Sequence, residues 1–348
     1  MTNFTSPNHS KSRVKAVGKR IRGDNYTLGD ISVLENWRAS HSYILNTFQA
    51  NLRNRARQAR YAVTVAQRLK RRHTIFDKLR REPNMQLSTM HDIAGCRLVF
   101  DTELDLLSYR EKMHEARFNH VLRTKNDPRY NYIENPKSSG YRGIHDVYEY
   151  KVRSAGGEPW NGLLIEIQYR TRFQHAWATA VEVADLITTN RLKFSEGDEN
   201  HTRFFQIASE IISRAHEGRA SCLADLSPHE LCQEFKALDR RLGLLATFDN
   251  LRQSQSRTTF KKNTILIFRF AEDDLEQKLT SESFENINRA VERYDQLEKL
   301  FGDTADIVLV RGETEESIRY AFRNYFSDAR EFVDYVRDGL EIIEMNAA

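Results

Sequence analysis

The sequence predicts an α/β protein of the α+β kind, in which a β-sheet is flanked by helices and followed by a small C-terminal α/β module. Apolar, β-favouring runs such as "IAGCRLVF" and "GLLIEIQY" are typical of strands. Stretches with apolar residues three or four apart indicate amphipathic helices, and turn-rich segments separate the two kinds of element. At 348 residues the chain is long enough for one larger domain and one smaller one.

The N-terminal quarter of the chain is strongly basic. From Met1 to Met90 there are 18 Lys or Arg residues against 5 Asp or Glu, whereas the remainder holds 35 basic against 44 acidic residues. This asymmetry indicates a polyanionic partner, either nucleotide phosphates or an RNA backbone, but a solvated basic face has the same composition. Because residues 1–27 lack periodicity, we expect them to form a flexible basic arm.

A long helix is predicted from Ile31 onward. Its apolar residues fall three or four positions apart with one gap, which places them on a single helix face: Leu34, Trp37, Leu45, Phe48 and Leu52. We expect Arg38, Asn46 and Arg53 to face solvent.

A cluster of cations follows a predicted short strand. Tyr61, Val63 and Val65 alternate with smaller residues, which is typical of a strand, and "QRLKRRHTIFDKLRRE" has helical propensity with Thr74 as a candidate cap. Four of the cations on this segment are expected to cluster: Arg68, Lys70, Lys78 and Arg81. Near a helix start they could bind a triphosphate, whereas on an amphipathic helix they would simply face solvent.

Two carboxylates lie on or beside predicted strands. Asp92 precedes "IAGCRLVF", and strand alternation places Glu166 and Gln168 on the face opposite Ile165 and Ile167. Taken alone, an Asp at the start of a strand most often caps a turn. Paired with Glu166 from a neighbouring strand, it could form a magnesium site, because Mg²⁺ prefers one or two carboxylates together with phosphate oxygens and water.

The remaining elements complete a sheet flanked by helices. A helix is predicted over residues 103–115, a strand at "FNHVLRT", and a hairpin in which "RSAGGEPWN" joins "DVYEYKV" to "GLLIEIQY". Another helix follows Thr171. Before the hairpin, the turn-forming residues of "PKSSG" leave Lys137 and Tyr141 projecting from a short loop.

The C-terminal part reads as helices followed by a separate module. "TRFFQIASEIISRA" and "LCQEFKALDRRLGLLATF" are amphipathic, and "SQSRTT" is typical of a linker. Strand "NTILIFRF", helix "ESFENINRAVERYDQLEKLF", strand "DIVLVRG" and further helices then follow. We therefore expect a domain with a helical extension over residues 28–254. A small β-α-β-α module over residues 255–348 would serve regulation, oligomerisation or acceptor recognition.

Four blocks of this chain carry a family resemblance. The basic segment, "HDIAGCR", "YIENPKSSGYRGIH" and "LIEIQYRTRFQH" resemble, in the same order, the synthetase domain of RelA/SpoT-type enzymes, the (p)ppGpp synthetases. The resemblance covers roughly residues 60–185 and implies a nucleotidyltransferase-like domain with a mixed, mostly antiparallel central sheet. It also implies a pyrophosphokinase of the stringent response that uses Mg²⁺. Such an enzyme moves the β,γ-pyrophosphate of ATP to the 3′-hydroxyl of GDP or GTP and releases AMP.

The resemblance implies a role for individual residues. The ATP phosphates would be held by Arg68, Lys70, Thr74 and Lys78, and the adenine would lie between Arg81 and Arg97. The catalytic set would be Asp92, His145, Glu166 and Gln168, with Asp92 and Glu166 as the magnesium ligands. The acceptor would be bound by Lys137, Tyr141 and Arg142, with Tyr141 stacking on its base.

Two positions differ from the family pattern. Tyr130 stands where many members have a basic residue, and Gly143 where many have Ser. Tyr130, the basic arm and the extra C-terminal module favour an alternative acceptor, the 3′-terminal adenosine of tRNA, which toxic small members modify to block translation. A second alternative is a catalytically silent RNA-binding protein, against which the carboxylate pair and the phosphate-binding set argue.

Partners and location follow from composition and from the resemblance. Cys96, Cys222 and Cys232 have neither metal-ligand nor disulfide-framework spacing, which favours a reducing, cytoplasmic setting. We expect no membrane interaction, because no run of eighteen apolar residues and no N-terminal apolar h-region is present. Long members of the family that this chain resembles begin with a metal hydrolase domain. No spaced His/Asp cluster precedes residue 60 here, so the resemblance implies a single-activity small synthetase. The resemblance leaves a protein antitoxin and a homo-oligomer open as partners.

Overall fold

The computed structural model describes residues 4–190, 199–250, 263–269, 278–301, 305–311 and 329–347. The helices are α1 (Lys11–Arg22), α2 (Leu28–Gln58), α3 (Arg72–Arg81), α4 (Glu103–His114), α5 (Arg172–Asn190), α6 (Glu199–Glu217), α7 (Pro228–Leu242), α8 (Leu244–Asn250), α9 (Ile287–Phe301) and α10 (Arg330–Ala347). The strands are β1 (Val63–Leu69), β2 (Ala94–Phe100), β3 (Val121–Leu122), β4 (Ile144–Glu149), β5 (Leu164–Thr171), β6 (Asn263–Arg269), β7 (Lys278–Phe284) and β8 (Ala305–Arg311).

The central sheet has five strands in the order β1-β2-β5-β4-β3. Strands β2 and β5 are parallel, and the other neighbouring pairs are antiparallel. The prediction of an α/β fold with a mixed, mostly antiparallel central sheet flanked by helices is confirmed. The parallel pair places Gly95 of β2 beside Glu166 of β5, and the β4–β5 hairpin places His145 beside Gln168. These two registers bring the predicted catalytic strands together.

Helix α2 begins at a capping box. Thr27 accepts from the backbone N–H of Asp30, and the Asp30 carboxylate accepts from the backbone N–H of Thr27. The predicted apolar face is buried, including Leu34 and Leu52 at 0% exposure. The prediction that Arg38 faces solvent is wrong, because its side chain is buried against the loop that follows β1 and against the C-terminal segment.

The strand after α2 is longer than predicted. Strand β1 continues to Leu69, so Arg68 lies on the sheet and α3 begins at Arg72. Pairing with β2 along its whole length outweighs the helical propensity of this segment. Thr74 does not cap the helix, since its hydroxyl donates a hydrogen bond to the carbonyl oxygen of Arg71.

The expectation of a flexible arm over residues 1–27 is wrong for residues 11–22. Residues 11–22 form α1, which Ser10 caps by accepting from the backbone N–H of Arg13. Val14, Val17 and Ile21 are fully buried. Helix α1 packs on α3 and on the 3-10 helix Leu87–Thr89. The basic residues that suggested disorder occupy the outer face of an amphipathic helix.

The C-terminal segment differs from the predicted β-α-β-α order. Strands β6, β7 and β8 form an antiparallel sheet in the order β7-β6-β8, and β7 occupies residues that we assigned to a helix and its approach. Helix α9 starts only at Ile287. Strand β8 of this sheet packs on β1, and the buried residues of the sheet, including Ile265 and Ile307, belong to the same core as the central sheet.

A second core holds the helices that follow β5. Helices α5, α6, α7 and α8 pack together with α10, which contributes Phe332, Val333 and Val336. Helix α10 therefore belongs to the helical extension, and the idea of a self-contained module over residues 255–348 is wrong in this respect. The predicted linker "SQSRTT" and most of the acidic turn "SEGDEN" lie outside the described residues. Among the helices that the structure describes, none has the length and apolarity that a bilayer crossing requires.

Candidate active site

The central sheet carries a polar cleft on the face of β1, β2 and β5. Its lining residues are Ala66, Gln67, Arg68, Lys70, Asp92, Gly95, Cys96, Arg97, Glu166 and Gln168. Both predicted magnesium ligands, Asp92 and Glu166, therefore reach the same cleft. So do three of the residues predicted to bind ATP: Arg68, Lys70 and Arg97. Gly95, which pairs with Glu166 across the parallel strands, also lines the cleft.

Asp92 is held by two ammonium groups. The Nζ atoms of Lys70 and Lys78 each lie 3.0 Å from its Oδ2 atom. Burial by itself would raise the pKa of Asp92, but Lys70 and Lys78 outweigh this effect and lower it. Among the described residues, none donates a hydrogen bond to the buried Oδ1 atom of Asp92. Asp92 is thus an ionised carboxylate that, within the described part of the chain, is paired through one oxygen only.

Glu166 is surrounded by donors. The Nδ1 atom of His145 lies 3.1 Å from Oε1, and the Nε2 atom of His91 lies 3.4 Å from the same oxygen. Gln168 donates to Oε2 at 2.6 Å. Burial would raise the pKa of Glu166, but His145 and then His91 lower it well below its ordinary value. Glu166 is therefore ionised, and its orientation is fixed by three side chains.

Tyr141 and His145 form a coupled pair at the edge of the cleft. The Tyr141 hydroxyl oxygen lies 2.6 Å from Nε2 of His145. Burial opposes charge on both groups, but the Arg170 guanidinium and His145 lower the pKa of Tyr141 to about 8. Tyr141 and Glu166 in turn raise the pKa of His145 to about 9. At neutral pH His145 is consequently a cation between a phenol and a carboxylate.

Cations surround the Tyr141 ring. The Arg170 guanidinium carbon lies 5.2 Å from the ring centre, and Nζ of Lys137 lies 5.3 Å from it. Lys137 also lies 4.6 Å from the centre of the Tyr132 ring. The structure thus places Lys137 and Tyr141 together, as predicted from "PKSSGY". Gly140 permits this turn, since its φ of +93° is unfavourable for residues with a side chain.

The two arginines predicted to enclose adenine differ in their surroundings. Arg97 is largely buried and lies 3.6 Å from Glu182 of α5. Burial and the neighbouring Arg170 lower the pKa of Arg97 to about 10. Arg81 is exposed at the end of α3 and is not among the cleft-lining residues that the structure describes. Its role in holding adenine, like that of Thr74 in holding phosphate, stays a prediction.

The assignment of Arg142 to acceptor binding is contradicted. Its side chain is only 2% exposed and is directed into the helical extension, where it forms an ion pair with Glu217. It also donates to the Ser209 and Ser213 hydroxyls of α6. Alternation along β4 and its approach turns Arg142 away from the cleft, so its role is to join the sheet to α6.

Comparison with known proteins identifies the family. Residues 67–186 match the model described as "Region found in RelA / SpoT proteins". The GTP pyrophosphokinase YjbM of Bacillus subtilis (strain 168) is 30% identical to this chain over 165 residues, which cover 45% of this chain and 75% of YjbM. The chain belongs to the RelA/SpoT family.

Other relatives match about half of this RelA/SpoT protein. The uncharacterized protein Rv1366 of Mycobacterium tuberculosis is 28% identical over 170 residues, which cover 48% of this chain and 55% of Rv1366. A solved structure, the small alarmone synthetase 1 of Bacillus subtilis bound to its product pppGpp, is 27% identical. The matched region covers 51% of this chain and 89% of the chain in that structure, and the TM-score is 0.41.

Three residues of this RelA/SpoT protein were not recognised from sequence. His91 contacts Glu166, Arg170 contacts Tyr141, and Tyr132 packs edge-on against both Tyr141 and His145. Arg170 has a sequence signal that could have been used, because it follows Glu166 and Gln168 at the same period of two along β5. His91 and Tyr132 lie in loops, where no periodicity reports the direction of a side chain.

Proposed function

We propose that this chain is a pyrophosphokinase that transfers the β,γ-pyrophosphate of ATP to the 3′-hydroxyl of GDP or GTP and releases AMP and (p)ppGpp. One observation carries the proposal: Asp92 and Glu166, which lie far apart in sequence, line a single cleft together with Arg68, Lys70 and Arg97. The YjbM relative, named a GTP pyrophosphokinase, supports the same reaction class.

The carboxylate pair suits a magnesium ion. Two ionised carboxylates and the unpaired Oδ1 atom of Asp92 are the hard oxygen donors that Mg²⁺ prefers. Among the described residues, no group of three or more His, Cys, Asp or Glu side chains is arranged to hold a metal, so phosphate oxygens and water would supply the other ligands. Asp92 and Glu166 would hold the ion, which when bound supplies positive charge beside the transferred phosphates.

The cations of the cleft hold the donor. Arg68 and Arg97 project from adjacent antiparallel strands, and Lys70 follows β1 directly. Lys70 and Lys78 contact Asp92 in this structure, so binding of a triphosphate would replace part of that contact with contacts to phosphate oxygens. These residues place the phosphates in line for attack and stabilise their charge, which provides much of the catalysis in phosphoryl transfer.

The acceptor site lies on the Tyr141 side of the cleft. The Tyr141 ring would stack on the base, and Lys137 would contact the acceptor phosphates. Glu166 and Gln168, which hydrogen-bond each other, would orient the 3′-hydroxyl toward the β-phosphorus. A bond then forms from the 3′-oxygen to this phosphorus as the hydroxyl proton passes to solvent water, while the bond from the same phosphorus to the AMP oxygen breaks and AMP leaves.

A second candidate acceptor is the 3′-terminal adenosine of tRNA. The observation that favours it is a basic cavity of about 220 Å³ lined by Lys15, Lys19, Arg22 and the loop 83–86. Lys15 and Lys19 are exposed on α1, where they could contact an RNA backbone.

The reaction can be tested with γ-labelled ATP and the purified full chain. We expect labelled pppGpp with GTP and labelled ppGpp with GDP, resolved by thin-layer chromatography. A parallel reaction with deacylated tRNA detects transfer to RNA. If label appears only in RNA, the acceptor is tRNA and not a guanosine nucleotide. If no acceptor is labelled, the enzyme proposal is refuted.

The Asp92→Asn variant tests the site. It removes the charge that we assign to metal binding, so we expect a loss of at least about a hundredfold in rate. Asp101→Asn is the matched control, because Asp101 is exposed at the end of β2. An Asp92→Asn enzyme with the activity of the control would exclude the proposed catalytic role of Asp92.

A further inference from the structure

Helix α9 of the C-terminal segment contacts α2 beside the candidate site. Tyr294 of α9 and Arg38 of α2 are each only 2% exposed. The Arg38 guanidinium carbon lies 5.5 Å from the centre of the Tyr294 ring, and one of its nitrogens donates to the Tyr294 hydroxyl. Two segments 256 residues apart in sequence are joined here in a buried setting.

Arg38 also holds the loop that carries a predicted ATP-binding lysine. Its Nε atom donates to the carbonyl oxygen of Lys70 at 2.6 Å. The backbone N–H of Lys70 donates to the carbonyl oxygen of Ile93 at 2.8 Å, next to Asp92. The Lys70 backbone is therefore fixed on both sides, and its Nζ atom lies 3.0 Å from Asp92.

A neighbouring ion pair ties the same loop to α2. Glu35 lies 3.7 Å from Arg38 and 3.8 Å from Arg72, the first residue of α3. In addition, Gln67 lines both the candidate site and a small cavity that Ile287 and Leu309 of the C-terminal segment also line. The connection between β1 and α3 is thus supported from behind by α2 and by the C-terminal segment.

A buried guanidinium has a fixed orientation when its N–H groups are hydrogen-bonded, because an unpaired N–H group in the interior raises the free energy of the folded state. The fork of an arginine can bridge two acceptors at fixed geometry, and a lysine cannot reproduce that bridge. Loss of the Tyr294 hydroxyl would remove this partner from one donor of Arg38 and would release the guanidinium from one of the contacts that orient it.

We propose that Arg38 is a positioning residue for Lys70 and that Tyr294 orients Arg38, so that the C-terminal segment is part of the ATP-binding machinery. The inference rests on the proposed function, which assigns Lys70 to the ATP phosphates. Arg38 and Tyr294 act through Lys70 without touching the nucleotide.

Binding of the non-hydrolysable analogue α,β-methylene-ATP to the full chain, measured by calorimetry, tests this proposal. Tyr294→Phe keeps the ring and its packing but removes the hydroxyl, and Arg38→Lys keeps the charge but cannot bridge both acceptors. We expect each variant to bind the analogue about tenfold more weakly, as the loss of one charge-assisted hydrogen bond suggests. The KM of the acceptor should change less than twofold, because Arg38 contacts the end of β1, whereas Tyr141 precedes β4, which β2 and β5 separate from β1 in the sheet.

Tyr109→Phe is the matched control. Tyr109 is also buried, and its hydroxyl donates to the carbonyl oxygen of Leu52 on the same helix α2 at 2.8 Å, away from the Lys70 loop. We expect a comparable loss of thermal stability with unchanged affinity for the analogue.

Two results would overturn the proposal. One is a Tyr294→Phe protein that binds the analogue as well as the wild type does. The other is a Tyr109→Phe protein that loses as much affinity, which would indicate a general structural effect. These outcomes are distinct from failure of the proposed function, because analogue binding requires no acceptor. If the wild type transfers no label but Tyr294→Phe still weakens analogue binding, the reaction assignment fails and the positioning role stands.

Discussion

Single residues at the site are defined mainly by their neighbours. Glu166 and Gln168 could be predicted as a pair because strand alternation directs both to one face, and the structure joins them by a hydrogen bond. The two histidines on Glu166 could not be paired with it in the same way. His91 lies in a loop and His145 on another strand, so only the folded sheet brings them to one carboxylate.

The charge of His145 makes stability depend on pH. Its pKa in the folded protein is about 9, above its ordinary value of 6.5. The folded state therefore binds a proton more tightly, and this stabilisation is complete below about pH 6.5 and is lost as the pH rises through about 9. We expect His145→Gln to lower the melting temperature most at pH 6. The gap between the melting temperatures of wild type and variant should shrink by a few degrees by pH 9.5.

The measurement is thermal unfolding by circular dichroism between pH 6 and 9.5. His229→Gln serves as the control, because His229 is exposed on α7, and its profile should follow that of the wild type. A His145→Gln difference that stays constant, or grows with pH, would contradict a charged His145 between Tyr141 and Glu166.

At the scale of elements, α1 shows how a basic segment can be ordered. Its charges face outward while Val14, Val17 and Ile21 are buried, and Gly18 allows close approach to the following 3-10 helix. A side chain at Gly18 would place its Cβ atom 2.7 Å from Cβ of Leu87. The segment was expected to be flexible because it showed no periodicity, but Val14, Val17 and Ile21 all lie on one buried face.

Gly18→Ala should therefore destabilise the protein even though Ala favours helix. The propensity gain is about 1 kcal/mol, whereas forcing α1 away from Leu87 costs about 1–3 kcal/mol and loosens the contacts of Ile21 and Val17. Urea unfolding at constant pH measures the net change. Gly29→Ala on α2 is the control, since the nearest atom to its added Cβ is 3.6 Å away, and it should be neutral or slightly stabilising. Equal behaviour of the two variants would show that α1 does not pack on Leu87 as described.

At the scale of the whole molecule, the C-terminal segment packs into both hydrophobic cores. The C-terminal sheet joins the core of the central sheet, and α10 joins the core of the helical extension. The C-terminal segment thus contributes to both cores, whereas the sequence predicted that it would form a separate module. Amphipathic patterns report that a face is buried, but they carry no information about the partner.

Phe332→Ala tests the placement of α10. Phe332 is fully buried, and its ring centre lies 5.9 Å from those of Phe205 and Phe248. We expect a loss of about 3–5 kcal/mol in the free energy of unfolding, because removal of a buried aromatic ring leaves a cavity. Denaturant unfolding followed by tryptophan fluorescence measures it through Trp177, which packs against Phe205. Met345→Ala is the control, at a side chain 77% exposed on the same helix. A change below about 1 kcal/mol for Phe332→Ala would place α10 outside this core.

The sequence by itself determined the local features that depend on neighbouring residues. It established the strands β2 and β5, the apolar face of α2, the Glu166–Gln168 pair and the family, because periodicity and short motifs are encoded in contiguous residues. Only the tertiary structure decided that Arg38 and Arg142 are buried, that α1 is ordered and that the two ends of the chain complete separate cores. Each of these depends on contacts between segments distant in sequence. Such contacts produce no pattern within a contiguous stretch of residues, so the sequence alone does not predict them.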